Sequence, residues 1–449
     1  MEVSQSAEWR EYLEQNKKSQ RHAEAVGRII PSGSSRSLLR HPPFPFFVNK
    51  ASGISSVDLD GNERLDFHNN YTTLVHGHGH PEILAAVNEQ IPNGTSFSAP
   101  VVQESRLVDI LTERIGSVDQ VVFNNSGTEA VIVALRIARA VTGRQLIGKF
   151  EGGYHGSSDF VMVGGHDIPQ LGDPVKVSKP KVDMAGLPNA ASEQVILIKY
   201  NDVEAVKEAV ERYGDEMAAI IFEPMMFAGG VVPAEPDFIK VLREETERKG
   251  IILICDEVVT LRHAVGGAQG YYGLDPDLTT MAKTIGGGFP VGAVGGKREY
   301  MKCLNDHAAG GTVANLGTFS ANPISVTAGA AAMELLDEAA IARINDLGDK
   351  ARVGLQTLID KHQVKAQVSG AGSLFQIHWT TEPITDARAS MSGDPDLVLL
   401  SFMGMCNRGV QLSMRGNAAL STPMTEDTIN TMLDAFDDTV ASMKAEEFC

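Results

Sequence analysis

The chain has 449 residues, 43% of them hydrophobic and 21% charged, which indicates a globular protein of two or three domains. Its formal charge of −18 disfavours binding to nucleic acid or to anionic membranes, although arginines inside a pocket can still bind a small anionic substrate. It contains no run of eighteen apolar residues, so we expect no transmembrane helix.

The N-terminal region predicts a helix followed by a small β segment. Trp9, Tyr12 and Leu13 lie at helical spacing in a polar stretch of mixed charge, which is typical of an amphipathic helix and not of a signal peptide. Between residues 40 and 70, apolar positions flank Gly53 and the turn residues 60–62, a pattern that predicts a hairpin or a small meander.

The segment from residue 105 to residue 300 alternates short apolar runs with helical stretches. Continuous apolar runs suit strands that are buried on both faces, so the alternation predicts an α/β domain with a mostly parallel sheet. The predicted strands include Gln120 to Phe123, Gln145 to Phe150, Val195 to Lys199, Ala218 to Phe222 and Ile251 to Cys255. The predicted helices include Glu129 to Val141, Val203 to Tyr213 and Pro236 to Lys249.

The C-terminal part predicts a smaller α+β domain. An Ala-rich helix begins near residue 323 and runs to Leu336, and strand-like segments follow at Ser373 to Trp379 and at Val410 to Ser413. We therefore divide the chain into an N-terminal segment (1–65), a large domain (66–324) and a small C-terminal domain (325–449).

The cysteines indicate a reducing environment. Their spacings fit no zinc motif, and four are few for a disulfide scaffold, so we expect no metal site and a cytoplasmic location. The four are Cys255, Cys303, Cys406 and Cys449.

Polar side chains follow the predicted strands at their carboxyl ends, where ligands bind in parallel α/β sheets. These segments are Asn124 to Ala130, Glu151 to Gly156, Glu223-Pro224, Asp256-Glu257 and Lys283 to Pro290. We expect an anion cradle, an aromatic ring, two acids and one lysine to converge on a single crevice.

The helix start at Ser126, Gly127 and Thr128 is compatible with an anion site. Free backbone amides and the helix dipole attract a phosphate, and the small residues let it approach closely. The same residues would also serve as an ordinary helix N-cap.

Asp256 and Lys283 have surroundings that are unusual for charged residues. Asp256 ends a very apolar strand and needs a partner, which a pyridinium nitrogen, a helix cap or a salt bridge would provide. Lys283 lies between apolar residues and the glycine run 286–288, so it is either a desolvated amine that can form a Schiff base or an ordinary surface lysine. Tyr154 could lie flat on a cofactor ring or be an ordinary loop tyrosine, and His155 is equally open to a structural role.

The order of these motifs resembles the class III aminotransferases, in the branch of the glutamate-1-semialdehyde aminomutases. The motifs are Ser126 to Ala130, Tyr154 to Gly156, Glu223-Pro224, Asp256 to Val258, Lys283 to Ala293 and Gly317 to Pro323. The resemblance implies pyridoxal-phosphate fold type I, in which a large domain with a mostly parallel sheet of the seven-stranded type is flanked by helices.

The resemblance also implies roles at the matching positions. Lys283 resembles the Schiff-base lysine, Asp256 the partner of the ring nitrogen, Tyr154 the residue stacked on the ring, and Val258 the residue behind it. Thr318 resembles the residue that reaches the phosphate of a neighbouring subunit, which requires a homodimer with its sites at the interface. The full set of cofactor residues that we expect is Ser126, Gly127, Thr128, Tyr154, His155, Glu223, Asp256, Val258, Lys283 and Thr318.

Three segments depart from the aminomutase pattern. The aminomutases usually have Gly-Phe-Arg shortly after Asp-Glu-Val and Asn shortly after Glu-Pro, where this chain has Leu261-Arg262-His263 and Met225 to Gly229. The segment Ser35 to Arg40 is closer to transaminases that act on β-amino acids. By that resemblance Arg36 binds the substrate carboxylate and Arg415 is a second substrate arginine. Arg40 is the alternative to Arg36, because it lies near the substrate arginine of the aminomutases. Each of the three could instead be an ordinary surface charge.

The sequence therefore predicts a pyridoxal-phosphate aminotransferase that moves an amino group from a β-amino acid, aromatic ones included, to an α-keto acid such as 2-oxoglutarate or pyruvate. The first alternative is glutamate-1-semialdehyde 2,1-aminomutase. A racemase or epimerase of the same fold is a second. A cofactor-binding regulator without catalysis is the third, and it lacks support because no basic DNA-binding segment is present.

Overall fold

The computed structural model describes residues 2–164, 176–180, 184–305, 308 and 310–449. The chain forms two compact units. The first comprises Met1–His80, Ile344–Thr381 and Ser392–Cys449, and the second comprises Pro81–Arg343 and Glu382–Met391. The domain boundaries proposed from the sequence, at 65/66 and 324/325, stay a prediction.

The strands and helices of the described residues are numbered in chain order. The strands are β1 (Val48–Ser52), β2 (Ser55–Asp58), β3 (Glu63–Asp66), β4 (Gln120–Asn124), β5 (Leu146–Phe150), β6 (Val177–Ser178), β7 (Val195–Ile198), β8 (Met217–Phe222), β9 (Met225–Met226), β10 (Val232–Pro233), β11 (Ile252–Asp256), β12 (Leu278–Ala282), β13 (Gly292–Gly296), β14 (Gln367–Ser369), β15 (Leu374–His378), β16 (Val410–Gln411) and β17 (Asn417–Ala419). The helices are α1 (Ala7–Gln15), α2 (Lys17–Val26), α3 (Asn69–Thr72), α4 (Pro81–Gln90), α5 (Gln103–Arg114), α6 (Gly127–Thr142), α7 (Asp159–Met162), α8 (Asn189–Glu193), α9 (Val203–Tyr213), α10 (Pro236–Lys249), α11 (Gly267–Tyr272), α12 (Arg298–Met301), α13 (Pro323–Leu335), α14 (Glu338–His362), α15 (Ala387–Ser390), α16 (Pro395–Asn407) and α17 (Glu426–Ala445).

The second unit is built on a mixed sheet to which eight of the described strands belong, in the order β4-β13-β12-β11-β8-β5-β7-β6. The central strands β12, β11, β8, β5 and β7 run parallel, whereas β13 is antiparallel to both of its neighbours and β6 is antiparallel to β7. All five strands that the sequence predicts between residues 105 and 300 lie in this sheet, so the prediction of an α/β fold with a mostly parallel sheet is confirmed.

Both faces of this sheet are covered, because successive strand residues point to opposite sides. In β8, Ile220 and Phe222 belong to an apolar cluster with residues of α9 and α10. Ala219 and Ile221 point the other way, into a cluster with residues of α6. This explains why β8 reads as a continuous apolar run and not as an alternating one.

In the first unit, β1, β2, β3 and β16 form one sheet and β14, β15 and β17 form another. The predicted N-terminal helix is present as α1, and its Tyr12 is fully buried against Phe44 and Phe402. The predicted meander is present as β1 to β3. Beneath it, Arg64 donates to Asp58 at 2.5 Å, and both side chains are buried. Burial alone would raise the pKa of Asp58, but the hydrogen bonds from Arg64 and Asn62 lower it below its usual value.

The turn α3 of the first unit is left-handed. Asn69, Asn70, Tyr71 and Thr72 have φ values of 49°, 49°, 55° and 74°. A left-handed helical residue other than glycine costs roughly 1–2 kcal/mol, so four in succession are a local strain that the surrounding structure must hold. Asp66 Oδ1 accepts hydrogen bonds from the amides of His68 and Asn69, at 2.9 and 2.8 Å, and Asn69 Nδ2 donates to the Ala419 carbonyl at 2.6 Å.

The helices of the described residues include none that is both long and apolar enough to cross a membrane.

Candidate functional site

The site of the second unit lies at the sheet edge where its parallel strands end. The chain leaves β4 at Asn125-Ser126, β5 at Glu151, β8 at Glu223, β11 at Glu257 and β12 at Lys283. Because carboxyl ends of parallel strands meet at one edge, the predicted segments are neighbours here.

The start of α6 faces a close-packed loop. Ser126 caps the helix by accepting from the Glu129 amide at 3.2 Å, and the Ser157 amide donates to Thr128 Oγ1 at 3.2 Å. Gly156 has a φ of +88°, and a Cβ atom placed on it would lie 2.6 Å from Thr128 Oγ1. A Cβ atom on Gly127 would lie 3.2 Å from Val258 Cγ2. The helix start is thus framed by the loop after β5 and by Val258, with its first amides available to an anion.

Asp256, at the end of β11, is buried and held by two donors. His155 Nδ1 lies 2.7 Å from Asp256 Oδ2, and the Val258 amide donates to Oδ1 at 3.1 Å. A carboxylate has about four acceptor positions, so two donors leave room for another. The Nε2 atom of His155 is buried and has no hydrogen-bond partner among the described residues.

Glu223 is a second buried acid at this edge. Its Oε1 accepts from the Tyr154 amide at 2.9 Å and its Oε2 from the Phe227 amide at 3.2 Å. Burial raises its pKa, as does the nearby Asp256, whereas His155 lowers it. Glu223 therefore ties the loop that carries Tyr154 to the end of β8.

Lys283 directly follows β12 and begins a 3₁₀ helix, Lys283–Gly286. Its φ of 50° is left-handed, a conformation that costs on the order of 1–3 kcal/mol for such a residue and that is often found at functional sites. Desolvation lowers the pKa of its amine, while Asp256 and Glu223 act in the opposite direction. Desolvation therefore makes the Lys283 amine easier to deprotonate than that of a surface lysine, although both acids act against this effect.

The sequence did not point to the partners of Glu257. This carboxylate follows Asp256 but is bound to other groups: it accepts from the amides of Ala268 and Gln269, at 3.2 and 2.7 Å, and from the Thr260 hydroxyl. It caps the N-terminus of α11, away from the partners of Asp256. The bidentate pair of Arg388 with Glu151, at 2.7 Å for both contacts, was also not predicted, and nothing in the sequence links two residues so far apart.

Tyr154 and Thr318 both have exposed side chains. Tyr154 retains 36% of its surface, enough for one ring face to contact a ligand. Thr318 lies between the exposed Leu316 and Phe319. The segment before it packs against the end of β4 in the same chain, because Asn315 donates to the Phe123 carbonyl at 3.0 Å.

The three predicted substrate arginines belong to the first unit. Arg36 is exposed, its Nη1 donates to Asn70 Oδ1 at 2.8 Å, and its guanidinium lies 5.0 Å from the centre of the Tyr71 ring. Arg40 instead donates to the Ser34 carbonyl at 2.7 Å. Arg415 lines a small cavity with residues that include Trp379 and Phe402. The contacts of Arg36 with α3 were not predicted.

No group of three or more His, Cys, Asp or Glu side chains in the described part of the chain could hold a metal ion.

Comparison with known proteins identifies the family. Residues 38–421 match the family model described as aminotransferase class-III. The chain is 36% identical over 430 residues to glutamate-1-semialdehyde 2,1-aminomutase from Methanothermobacter thermautotrophicus, covering 95% of this chain and 100% of that protein.

Two solved structures are similar over nearly the whole chain. An omega-transaminase from Sphaerobacter thermophilus has a TM-score of 0.90 and 39% identity, covering 95% of this chain and 98% of that one. A beta-phenylalanine aminotransferase from Variovorax paradoxus has a TM-score of 0.90 and 32% identity, covering 99% of each chain.

The chain belongs to the class III aminotransferases. It is therefore a pyridoxal-phosphate-dependent enzyme of fold type I, and the resemblance stated from the sequence is confirmed.

The residues at the sheet edge fit this cofactor. The start of α6 suits a phosphate, and the buried Asp256 retains acceptor capacity for a protonated ring nitrogen. The amine of Lys283 is desolvated, and the charge of Asp256 raises its pKa against that effect. One departure from the aminomutase pattern, Leu261-Arg262-His263, is buried in a 3₁₀ helix, and burial lowers the pKa of Arg262 to about 9.

We expect Gly156→Ala to weaken cofactor binding. The added Cβ would displace Thr128 and with it the start of α6, where we expect the phosphate to bind. The free energy of unfolding should fall by about 1–3 kcal/mol. The matched control is Gly143→Ala at the other end of the same helix, where φ is +71° but no atom lies within 4 Å of the added carbon. Both variants should melt at lower temperature, but only Gly156→Ala should raise the cofactor Kd measured by absorbance titration of the apoenzyme. Equal Kd values for the two variants would show that the close packing of Gly156 against Thr128 does not affect cofactor binding.

Proposed function

We propose that this class III aminotransferase transfers an amino group from a β-amino acid, aromatic ones included, to an α-keto acid such as 2-oxoglutarate or pyruvate. The observation that carries the proposal is Arg36, whose exposed guanidinium is braced by Asn70 and Tyr71. No carboxylate of the described residues forms an ion pair with it, so it is available to a substrate carboxylate. The similarity to a beta-phenylalanine aminotransferase supports the same substrate class.

The proposed chemistry assigns separate tasks to Lys283 and Asp256. When bound, pyridoxal phosphate supplies an aldehyde for the amino group and a protonated ring that accepts electron density. Lys283 carries the cofactor and then serves as the general base that removes the proton from the carbon bearing the amine. Its desolvated position favours the neutral amine that this task needs. Asp256 keeps the ring nitrogen protonated, and His155 orients that carboxylate through its Nδ1 atom.

The remaining cofactor residues are proposed to hold and align the group. Ser126, Gly127 and Thr128 bind the phosphate at the start of α6. Tyr154 lies on one face of the ring and Val258 packs on the other. Glu223 fixes the Tyr154 loop through its hydrogen bond to the Tyr154 amide.

We further propose a cytoplasmic homodimer in which Thr318 reaches the phosphate bound by the partner subunit. The exposed Leu316 and Phe319 on either side of Thr318 are apolar surface that such an interface would cover. The four cysteines are all free, which fits a reducing compartment. Sedimentation that finds a fully active monomer would overturn the role of Thr318.

The second candidate is glutamate-1-semialdehyde 2,1-aminomutase, favoured by the 36% identity to the relative of that name. The two activities differ in stoichiometry, because an aminomutase uses one substrate as both donor and acceptor.

A donor panel separates the two activities. We expect β-amino acids, β-phenylalanine among them, to give amino transfer to 2-oxoglutarate or pyruvate, measured by chiral chromatography of donor and product. Glutamate-1-semialdehyde without an acceptor is the parallel assay. Its isomerisation, together with no turnover of any β-amino acid, would replace the aminotransferase proposal with the aminomutase.

Lys283 should be the lysine that holds the cofactor. Borohydride reduction of the holoenzyme fixes the bond between amine and cofactor aldehyde, and peptide mapping should then find the pyridoxyl group on Lys283. Lys149, which is buried in β5 and donates to the carbonyls of Val161 and Val163, is the internal control and should be unmodified. A label on a lysine other than Lys283 would refute the assignment.

Arg36 and Arg415 should bind different carboxylates. The carboxylate of a β-amino acid lies one carbon further from the amine than that of an α-keto acid lies from the carbonyl carbon, so one fixed guanidinium suits only one of them. We expect Arg36→Ala to raise the KM of the β-amino acid, and Arg415→Ala that of the α-keto acid, each by the equivalent of ~2–4 kcal/mol. Arg40→Ala is the comparison that decides between the neighbouring arginines. An unchanged acceptor KM in Arg415→Ala would show that the two-arginine proposal is wrong.

A further inference from the structure

We propose that the left-handed turn α3 exists to position Arg36 for carboxylate recognition, with Asn70 and Tyr71 as its positioning residues. The inference rests on the proposed role of Arg36 in binding the substrate carboxylate, and it adds residues that determine how well that arginine performs it.

The contacts between the turn and Arg36 fix the guanidinium from two sides. Asn70 Oδ1 accepts from Nη1 at 2.8 Å, and the Tyr71 ring lies 5.0 Å from the guanidinium carbon, within the range of a cation–π contact. The Tyr71 hydroxyl also donates to the Leu38 carbonyl at 3.1 Å, which ties the segment that carries Arg36 to the same turn. The guanidinium has five N–H donors, so the bond to Asn70 leaves a pair for a bidentate carboxylate contact.

The backbone of α3 explains why these two side chains reach Arg36. Asn tolerates a left-handed conformation, but Tyr71 and the β-branched Thr72 rarely adopt it, so the run is not a default turn. It is imposed by its anchors, since Asp66 binds the amides at its start and Asn69 binds the Ala419 carbonyl. A strained backbone that is anchored on its buried side, and that offers the exposed Asn70 and the half-buried Tyr71 to an arginine without an ion pair among the described residues, is the arrangement expected of a pre-organised ligand site.

Asn70→Gly tests the turn without disturbing the core. Asn70 is exposed, and glycine adopts a left-handed conformation readily, so the variant should not melt at lower temperature than the wild type. The lost hydrogen bond to a charged but exposed donor should raise the KM of β-phenylalanine about tenfold and leave kcat within about twofold. The Asn70→Gly holoenzyme should also bind 3-phenylpropanoate, a carboxylate without an amine, about tenfold more weakly than the wild-type holoenzyme does, as measured by calorimetry.

Gln363→Gly is the matched control. Gln363 is exposed, belongs to the same unit and has a φ of 56°, so glycine relieves the same kind of strain there without contacting Arg36. Its KM and its Kd for 3-phenylpropanoate should equal those of the wild type.

The double variant Arg36→Ala/Asn70→Gly decides whether Asn70 acts through Arg36. It should bind 3-phenylpropanoate no more weakly than Arg36→Ala alone, because Asn70 then has nothing left to position. Wild-type affinity in Asn70→Gly combined with lost affinity in Arg36→Ala would overturn the inference and leave the proposed function standing. Wild-type KM and Kd in Arg36→Ala would instead reject the proposed role of the arginine, and the inference with it.

Discussion

The contact between His155 and Asp256 is the interaction on which the site of the second unit depends. A carboxylate at the end of a buried strand is unstable without donors, and both side chains of this pair are almost completely buried. The imidazole supplies one donor and the Val258 amide another, which keeps the acid in place while leaving acceptor capacity for a further proton donor. Asp256 also raises the pKa of Lys283, against the lowering caused by desolvation. Its repulsion raises the pKa of Glu223 further. Desolvation is the largest cause of both pKa shifts, and this buried pair contributes to each of them.

Left-handed backbone conformations occur beside the candidate site of the second unit and beside Arg36 in the first unit. Lys283 in the second unit and the turn at Asn69–Thr72 in the first both have left-handed backbones without glycine. In each case neighbouring elements hold the conformation: Lys283 stands between β12 and a glycine run, and α3 is anchored by Asp66 and the Ala419 carbonyl. Strain of this kind persists only when the rest of the structure dictates it.

Much of the fold could be predicted because apolar runs and helix signals agree with the tertiary structure. Val203–Tyr213 and Pro236–Lys249 have the predicted bounds, since Asp202 caps the first and Gly250 ends the second. By contrast β13, with the sequence Gly-Ala-Val-Gly-Gly, has no strand signal of its own. Glycine is needed at position 292 because a Cβ atom there would lie 2.0 Å from the Ser126 carbonyl oxygen. Only the folded chain reveals this constraint.

The candidate site likewise has one part that could be predicted from the sequence and one part that could not. The strand-end residues were predictable, because parallel topology brings them to one edge whatever the loops do, and Asp256, His155, Glu223 and Lys283 are linked there. The bracing of Arg36 by Asn70 was not, because two exposed polar residues 34 positions apart give no periodic or motif signal. The proposed cofactor contacts belong to the strand ends, whereas the proposed carboxylate contact depends on irregular backbone in the first unit.

That division means that the family and the substrate depend on different residues. An aminotransferase and an aminomutase need the same lysine, the same acid and the same phosphate cup, so those residues cannot distinguish them. What differs is where a carboxylate must be held and whether the site must also accept a second substrate. A β-amino acid and glutamate-1-semialdehyde both present a carboxylate, but they place it at different distances from the amine, and a fixed guanidinium converts that difference into selectivity. We therefore expect the placement of Arg36 relative to Asn70 and Tyr71 to carry more information about the substrate than any of the residues proposed to contact the cofactor.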